Sequence, residues 1–401
     1  MTHLIVGTKM EFLVEPIHIN ATEGRATILG NCDPAFSKVL DVFVKNFSER
    51  GEIGSGISIY QNGSKVVDLW GGWLDAGRSR AWERESLCSV YSISKSLCAL
   101  SVHVLVERGR IDLEAPVAHY WPEFAQSGKD KITVRQVLSH HCGVLFNDRA
   151  KPGDIYDWET MIDAIAAQEP AWPAGTKGAY NSVNFGYING ELVRRVDGRM
   201  IDTFISDEIC VPLGVEFHFG VGSVDPGRVA DMIDNPANPQ YRNADNDETT
   251  LARAWNAMPT PRNAGMVNDG HRKYLYPSGG GFTTARSIAR IYAMLANDGE
   301  LDGVRILKPE TVERLQTEQW EEDADGMMGM HIRMALGFMK NSPPAIPMGP
   351  GRQTFGHYGS NGALAFADRN RNLAFGTTTN FLTAGPGVGD RTAALVTAAY
   401  L

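Results

Sequence analysis

The sequence predicts an α+β fold in which one sheet, assembled from both ends of the chain, carries an inserted helical domain. Three observations predict it. Helix and strand patterns fill residues 34–70. Further strand patterns and a closing helix fill residues 363–400. The long middle reads as helices broken by Pro- and Gly-rich loops, without the regular βαβ alternation of a doubly wound sheet. The expected division is an N-terminal extension at 1–33, a sheet domain at 34–110 and 271–401, and a mainly helical domain at 111–270. The candidate site lies between the last two.

Each element has its own signal. Residues 34–50 place Phe36, Leu40, Val42, Phe43 and Phe47 at helical spacing. Gly56–Tyr60 and Lys65–Trp70 read as strands, and Gln61-Asn62-Gly63 between them is a hairpin turn. Residues 92–108 form a largely apolar helix stopped by Gly109. Asp231–Gly265 is polar and irregular and reads as a surface excursion. Residues 284–297 are an amphipathic helix ended by Asp298-Gly299. Ala363–Ala367 and Leu373–Thr379 are strands joined by a turn at 368–372, and Thr392–Tyr400 is the last helix.

Composition bounds the function. The chain has 401 residues, 43% apolar and 21% charged, which suits a folded protein with a large core. Its net charge of −9 disfavours nucleic acid as a partner. No apolar stretch approaches the length of a membrane span, so no membrane association is expected. The opening MTHLIVGTKMEFLVEP has no basic n-region and only a short apolar patch, so no secretory signal is expected. Five scattered cysteines without a Cys-x-x-Cys suit a reduced, cytoplasmic setting. No Gly-x-Gly-x-x-Gly follows a strand and no P-loop occurs, so no nucleotide cofactor is indicated. Oligomeric state is not readable.

Three fragments carry chemistry. Ser92-Ile93-Ser94-Lys95 is an S-x-x-K at the start of the apolar helix. Residues i and i+3 share a helix face, so the Lys amine can reach the Ser hydroxyl. A buried amine has a lowered pKa and can act as a base. The plainer alternative makes Ser92 a helix cap and Lys95 a solvated charge, but the helix around Lys95 is nearly all apolar. Tyr180, in Gly178-Ala179-Tyr180-Asn181-Ser182, can be a phenolate base or a proton shuttle, or else a packed tyrosine. Phe355-Gly356-His357-Tyr358-Gly359-Ser360-Asn361-Gly362, just before a strand, lets backbone approach a ligand closely. There the Ser360 N–H can serve as an oxyanion donor and His357 as a polar group.

In this order the fragments resemble the serine β-lactamase, DD-peptidase and family VIII carboxylesterase superfamily, and most of all family VIII carboxylesterases, which are class C β-lactamase-like. The likeness extends to Ile132–Val144, Trp172–Val193 and Pro277–Leu295, and covers roughly residues 35 to 400. It implies a five-stranded antiparallel sheet flanked by terminal helices, beside a helical domain. It implies Ser92 as nucleophile, Lys95 as partner base and Tyr180 as second base and shuttle. The N–H groups of Ser92 and Ser360 are then the oxyanion hole, with Ser182, His357, Tyr358 and Gly359 binding substrate. The implied activity is a serine carboxylesterase acting on a small ester through an acyl-enzyme, with no cofactor and no metal.

Two departures from the family pattern matter. Ser182 stands where many members have Asn, and His357 stands where β-lactam-recognising members keep Lys. Both favour esters over β-lactams. Acyl transfer to an acceptor other than water, and cleavage of D-amino-acid peptides or β-lactams, are the rival activities. His140, His141 and Cys142 lack metal-ligand spacing, and His140 is expected to pack beneath the site. Gly77-Arg78-Ser79-Arg80-Ala81 lacks the last glycine of a nucleophile elbow. Trp172, Trp255 and Tyr276 are candidates for an acyl pocket or for core packing.

Overall fold

The computed structural model describes residues 3–6, 9–22, 24–238, 249–260 and 270–401. Part of the expected excursion at Asp231–Gly265 therefore lies outside the described residues.

An antiparallel sheet of eleven strands organises the molecule. In chain order its strands are β1 (His3–Val6), β2 (Lys9–Asn20), β3 (Arg25–Cys32), β4 (Gly54–Gln61), β5 (Ser64–Gly72), β6 (Trp320–Glu322), β7 (Ile332–Met334), β8 (Met339–Lys340), β9 (Phe355–Tyr358), β10 (Leu364–Asp368) and β11 (Leu373–Thr379). Across the sheet they run β1-β2-β3-β5-β4-β11-β10-β9-β8-β7-β6. The two ends of the chain meet at β4 and β11, where Ser55 faces Thr379 and Ile59 faces Phe375.

Two expectations are corrected. The sheet has eleven strands where the resemblance implied five; β5, β4, β11, β10 and β9 are its contiguous middle. The extension at 1–33 supplies three of the additional strands. Ala26, Ile28 and Cys32 alternate along β3 and bury one face in the main core. The hairpin turn holds Asn62 at φ 51° and Gly63 at φ 72°. Both angles suit a type I′ turn, whose twist matches that of its strands.

Six helices matter most: α1 (Ser37–Glu49), α2 (Ser94–Glu107), α3 (Trp158–Ala167), α4 (Asn184–Asp197), α5 (Ala285–Ala296) and α6 (Gly389–Ala398). Thr284 caps α5 by accepting the Ser287 N–H. This helix lies on β11 and β4, where glycine permits close approach. A Cβ on Gly376 would stand 2.8 Å from Ala289 N and 2.9 Å from the Ala285 carbonyl. Side chains alternate along a strand, so Phe375 points to the opposite face. There it stacks on Phe366, which stacks in turn on Tyr400 just after α6. Helices α1 and α6 pack together. Helix α2 packs against α4 and is buried around its whole circumference from Ser94 to Leu105. A small second sheet of Cys88–Ser89, Gly281–Thr283 and Phe217–Phe219 joins the start of α2 to the helical region.

Candidate active site

The chain enters α2 through a single 3₁₀ turn, Tyr91–Ile93. Tyr91 has φ 44°, an uncommon conformation for a non-glycine residue that persists only where its surroundings enforce it. They do: the Val90 N–H donates to the Gly281 carbonyl, and the Gly281 N–H donates to Ser94 Oγ. This turn sets Ser92, half-buried, on the wall of a cavity.

Lys95, one turn further, is fully buried. Its Nζ lies 3.2 Å from Ser92 Oγ and 2.6 Å from the Ser278 carbonyl. Burial lowers its pKa from 10.5 to about 7. Among the described residues no carboxylate pairs with the buried amine, so its neutral form becomes well populated near neutral pH.

Tyr180 lies across the cavity, with Lys95 Nζ 5.1 Å from its ring centroid. Burial pushes its phenol well above the usual range, and the nearby Ser92 hydroxyl offsets only part of that rise. No group stands in full hydrogen-bonding geometry with Tyr180 Oη among the described residues. The ring stacks on His140, which stacks on Phe185. His140 Nδ1 accepts the Asn181 N–H at 2.9 Å, and burial holds its pKa well below the ordinary value. His140 thus packs beneath Tyr180 as a neutral ring.

The segment after β9 reaches the nucleophile turn from the other side. Asn361 Nδ2 donates to the carbonyls of Ser89 and Thr379. A Cβ on Gly359 would lie 2.5 Å from the Val90 carbonyl oxygen. This close approach presses the turn carrying Ser360 against the turn carrying Ser92. Phe355–Tyr358, the start of the fragment read as lying just before a strand, is itself strand β9.

The cavity holds about 40 Å³ and is lined by Tyr91, Ser92, Tyr180, Ser182, Trp255, Met258, His271, Tyr276, Gly279, Met328, Tyr358 and Ser360. Ser92, Tyr180, Ser182, Tyr358 and Ser360 thus meet as expected. His357 and Gly359 do not line it: β9 turns His357 away from the cavity that its neighbour Tyr358 lines, and Gly359, just past β9, packs against the Val90 carbonyl. His357 Nδ1 donates to the Tyr358 carbonyl at 2.8 Å. Its ring centroid is 5.8 Å from that of Tyr180, and burial lowers its pKa to about 3. Trp255 and Tyr276 line the cavity, whereas Trp172 packs outside it against Lys177. The Ser182 hydroxyl accepts from Trp255 Nε1 at 3.2 Å, and the Ser278 carbonyl is the second partner of Lys95.

Three further residues carried no signal of their own in the sequence. Ser278 lies in a segment read only for its resemblance. Asp325 Oδ2 accepts the Tyr180 N–H at 2.8 Å, and Oδ1 accepts the Met328 N–H, so it anchors the backbone of Tyr180. Burial pushes its carboxyl pKa up. His271 comes to the cavity from a segment without any motif. No residue spacing joins 271 or 325 to 92; only the fold does.

A larger surface groove of about 680 Å³ shares no residue with this site. Its Arg369 is paired with Asp298 and Glu313. No cluster of His, Cys, Asp and Glu able to hold a metal occurs among the described residues.

Comparison with known proteins shows the family and the fold. Residues 40–399 match the beta-lactamase family. The chain is 32% identical over 392 residues to the esterase/beta-lactamase LipL of Mycobacterium tuberculosis, spanning 94% of this chain and 89% of that protein. A family VIII carboxylesterase crystal structure superposes with TM-score 0.84 at 34% identity, covering 93% of this chain and 99% of that one. A penicillin-binding protein homologue from Caulobacter crescentus gives the same values. The chain belongs to the beta-lactamase family and has the β-lactamase/transpeptidase-like fold.

Proposed function

We propose that the protein is a serine carboxylesterase, and that Ser92, Lys95 and Tyr180 carry the reaction. The observation that carries this reading is the buried Lys95 amine, 3.2 Å from Ser92 Oγ, with a pKa lowered to about 7. As a neutral amine it donates to the Ser278 carbonyl and offers its lone pair to the Ser92 hydroxyl. Ser92 Oγ attacks the ester carbonyl carbon and its proton passes to Lys95. The backbone N–H groups of Ser92 and Ser360 receive the developing oxyanion. Tyr180, held as a phenol by its burial, gives its proton to the leaving alkoxide. The Lys95 ammonium then stabilises the phenolate beside it. In the second half-reaction the phenolate takes a proton from water, hydroxide attacks the acyl carbonyl, and Lys95 returns its proton to Ser92 Oγ.

The preference for esters over β-lactams rests on charge. A penicillin carries a carboxylate beside its scissile amide. Among the described residues no Lys or Arg lines the cavity, and His357 is neutral at any pH near 7. The family VIII carboxylesterase structure supports ester hydrolysis, and LipL bears both an esterase and a beta-lactamase name. Five free, buried cysteines support a reducing, cytoplasmic location. The test is a panel of p-nitrophenyl esters of increasing chain length beside nitrocefin. Turnover of short and medium esters, abolished in Ser92→Ala, supports the proposal. Turnover of nitrocefin alone refutes it.

A further inference from the structure

His271 is a fully buried titratable group that the reaction above does not use. It lies in the turn Gly270–Lys273 and lines the same cavity as Ser92. Its Nδ1 is 3.1 Å from Tyr156 Oη, and its ring stands edge-on to Tyr276 and Tyr156. Two tyrosine side chains thus fix the ring. Its Nε2 is buried and has no hydrogen-bond partner among the described residues. Orphaned buried polar atoms of this kind are rare, because an unmade hydrogen bond is costly.

The tautomer follows from the partner. Tyr156 stays a protonated phenol, since burial pushes its pKa up. Among the described residues Nδ1 of His271 is the acceptor that phenol reaches, so the phenol proton goes to Nδ1. The imidazole proton therefore sits on Nε2. The cavity that His271 lines also presents the aromatic and thioether side chains of Tyr91, Trp255, Met258, Tyr276, Met328 and Tyr358, and the polar groups of Ser92, Tyr180, Ser182 and Ser360 belong to the reacting end or its margin. His271 is a neutral donor, because burial lowers its pKa to about 4. A neutral donor in a buried, largely aromatic wall matches an uncharged acceptor, since a carboxylate there would be desolvated with no cation among the described lining residues.

Building on the esterase reading, we propose that His271 determines specificity: its Nε2–H donates a hydrogen bond to a neutral oxygen in the acyl group of the ester. The enzyme then selects acyl chains bearing an ether, keto or hydroxyl oxygen over plain alkyl chains of the same length. The acyl group is the part that remains on Ser92 through both half-reactions, so one buried contact acts on both.

The experiment compares isosteric pairs of p-nitrophenyl esters: methoxyacetate with butanoate, 3-methoxypropanoate with pentanoate, and 4-methoxybutanoate with hexanoate. The readout is the ratio of kcat/KM within each pair, measured in wild type, His271→Phe, His271→Gln and Tyr156→Phe. Intrinsic ester reactivity and general damage to the enzyme cancel when these ratios are compared. For at least one pair, His271→Phe should lower the ether-to-alkyl ratio about tenfold, the scale at which a site built to hydrogen-bond begins to discriminate. His271→Gln, which keeps an N–H donor, should restore part of the ratio. Tyr156→Phe, which frees the tautomer, should lower it less than His271→Phe does. Ratios unchanged within twofold in all three pairs and all variants overturn the inference while leaving the esterase reading intact. Should His271→Phe not fold, unchanged ratios in Tyr156→Phe and His271→Gln, with wild-type ether esters no better than alkyl esters, overturn it equally. Absence of any ester turnover in the wild type would instead refute the esterase reading.

Discussion

Burial of Lys95 has consequences for activity and for stability, and they run in opposite directions. If the free amine is the base, kcat/KM for a p-nitrophenyl ester should rise as pH increases through about 7 and then level. A profile flat from pH 5.5 to 8.5 would remove Lys95 from that role. For stability, the folded pKa lies below the unfolded value of 10.5. Between about pH 7 and 10.5 the unfolded chain holds this proton and the folded chain does not, so the penalty of burial shrinks as pH rises across that window. Lys95→Met should therefore raise Tm more at pH 6.5 than at pH 10, while abolishing turnover. Ser92→Ala should cost several orders of magnitude in kcat with an unchanged circular dichroism spectrum. Retention of a tenth of wild-type kcat would exclude Ser92 as the nucleophile. Lys95→Ala and Tyr180→Phe should each lower kcat sharply, and the double variant should be far less than multiplicatively worse, because the two share one proton relay. At this scale the sequence was readable where chemistry has a local spacing. Ser92 and Lys95 sit one turn apart on a helix, and the motif shows it. Asp325 and His271 reach the site from distant segments, and no local pattern could announce them.

Packing between elements makes two glycines testable. Gly359 allows the Ser360 turn to rest against Val90, and a methyl group there would collide with a backbone oxygen. Gly359→Ala should shift the Ser360 N–H and lower kcat about 100-fold, the cost of losing one oxyanion donor, with a smaller change in KM. An unaltered kcat would separate Ser360 from the oxyanion site. Gly376→Ala drives a methyl group into the backbone of α5 and should destabilise the fold by about 1–3 kcal/mol in urea denaturation, leaving KM unchanged. Long elements with strong periodicity, such as α1, α5, β4, β5 and β11, could be read within a few residues from apolar spacing. The strands of 1–33 and of 320–340 could not. Some are two to four residues long, and the Ala26, Ile28 and Cys32 face of β3 is an alternation of small and large apolar residues that becomes visible only against α1.

At the scale of the whole molecule, a cavity with no Lys or Arg among its described lining residues bears on the proposed substrate class. Uncharged short-to-medium esters should exceed benzylpenicillin by at least about 100-fold in kcat/KM at pH 7.5, which is roughly 2.7 kcal/mol of transition-state discrimination. Equal specificity constants for p-nitrophenyl butyrate and benzylpenicillin would restore the lactamase reading. The layout of one sheet drawn from both ends was legible because hairpin signals flank a helical middle. The width of the sheet was not, since its outer strands pair through backbone groups that leave little trace in composition. That same layout governs how the protein is made. Ser55 on β4 donates its hydroxyl proton to the Thr378 carbonyl on β11, 323 positions later. At translation rates of about 5–20 residues per second, β4 waits roughly 15–65 s for its neighbour to be synthesised. Throughout that interval the nascent chain presents an open, apolar strand edge, with Ile57 and Ile59 in its side chains. Productive folding therefore depends on what shields that edge until β11 has left the ribosome.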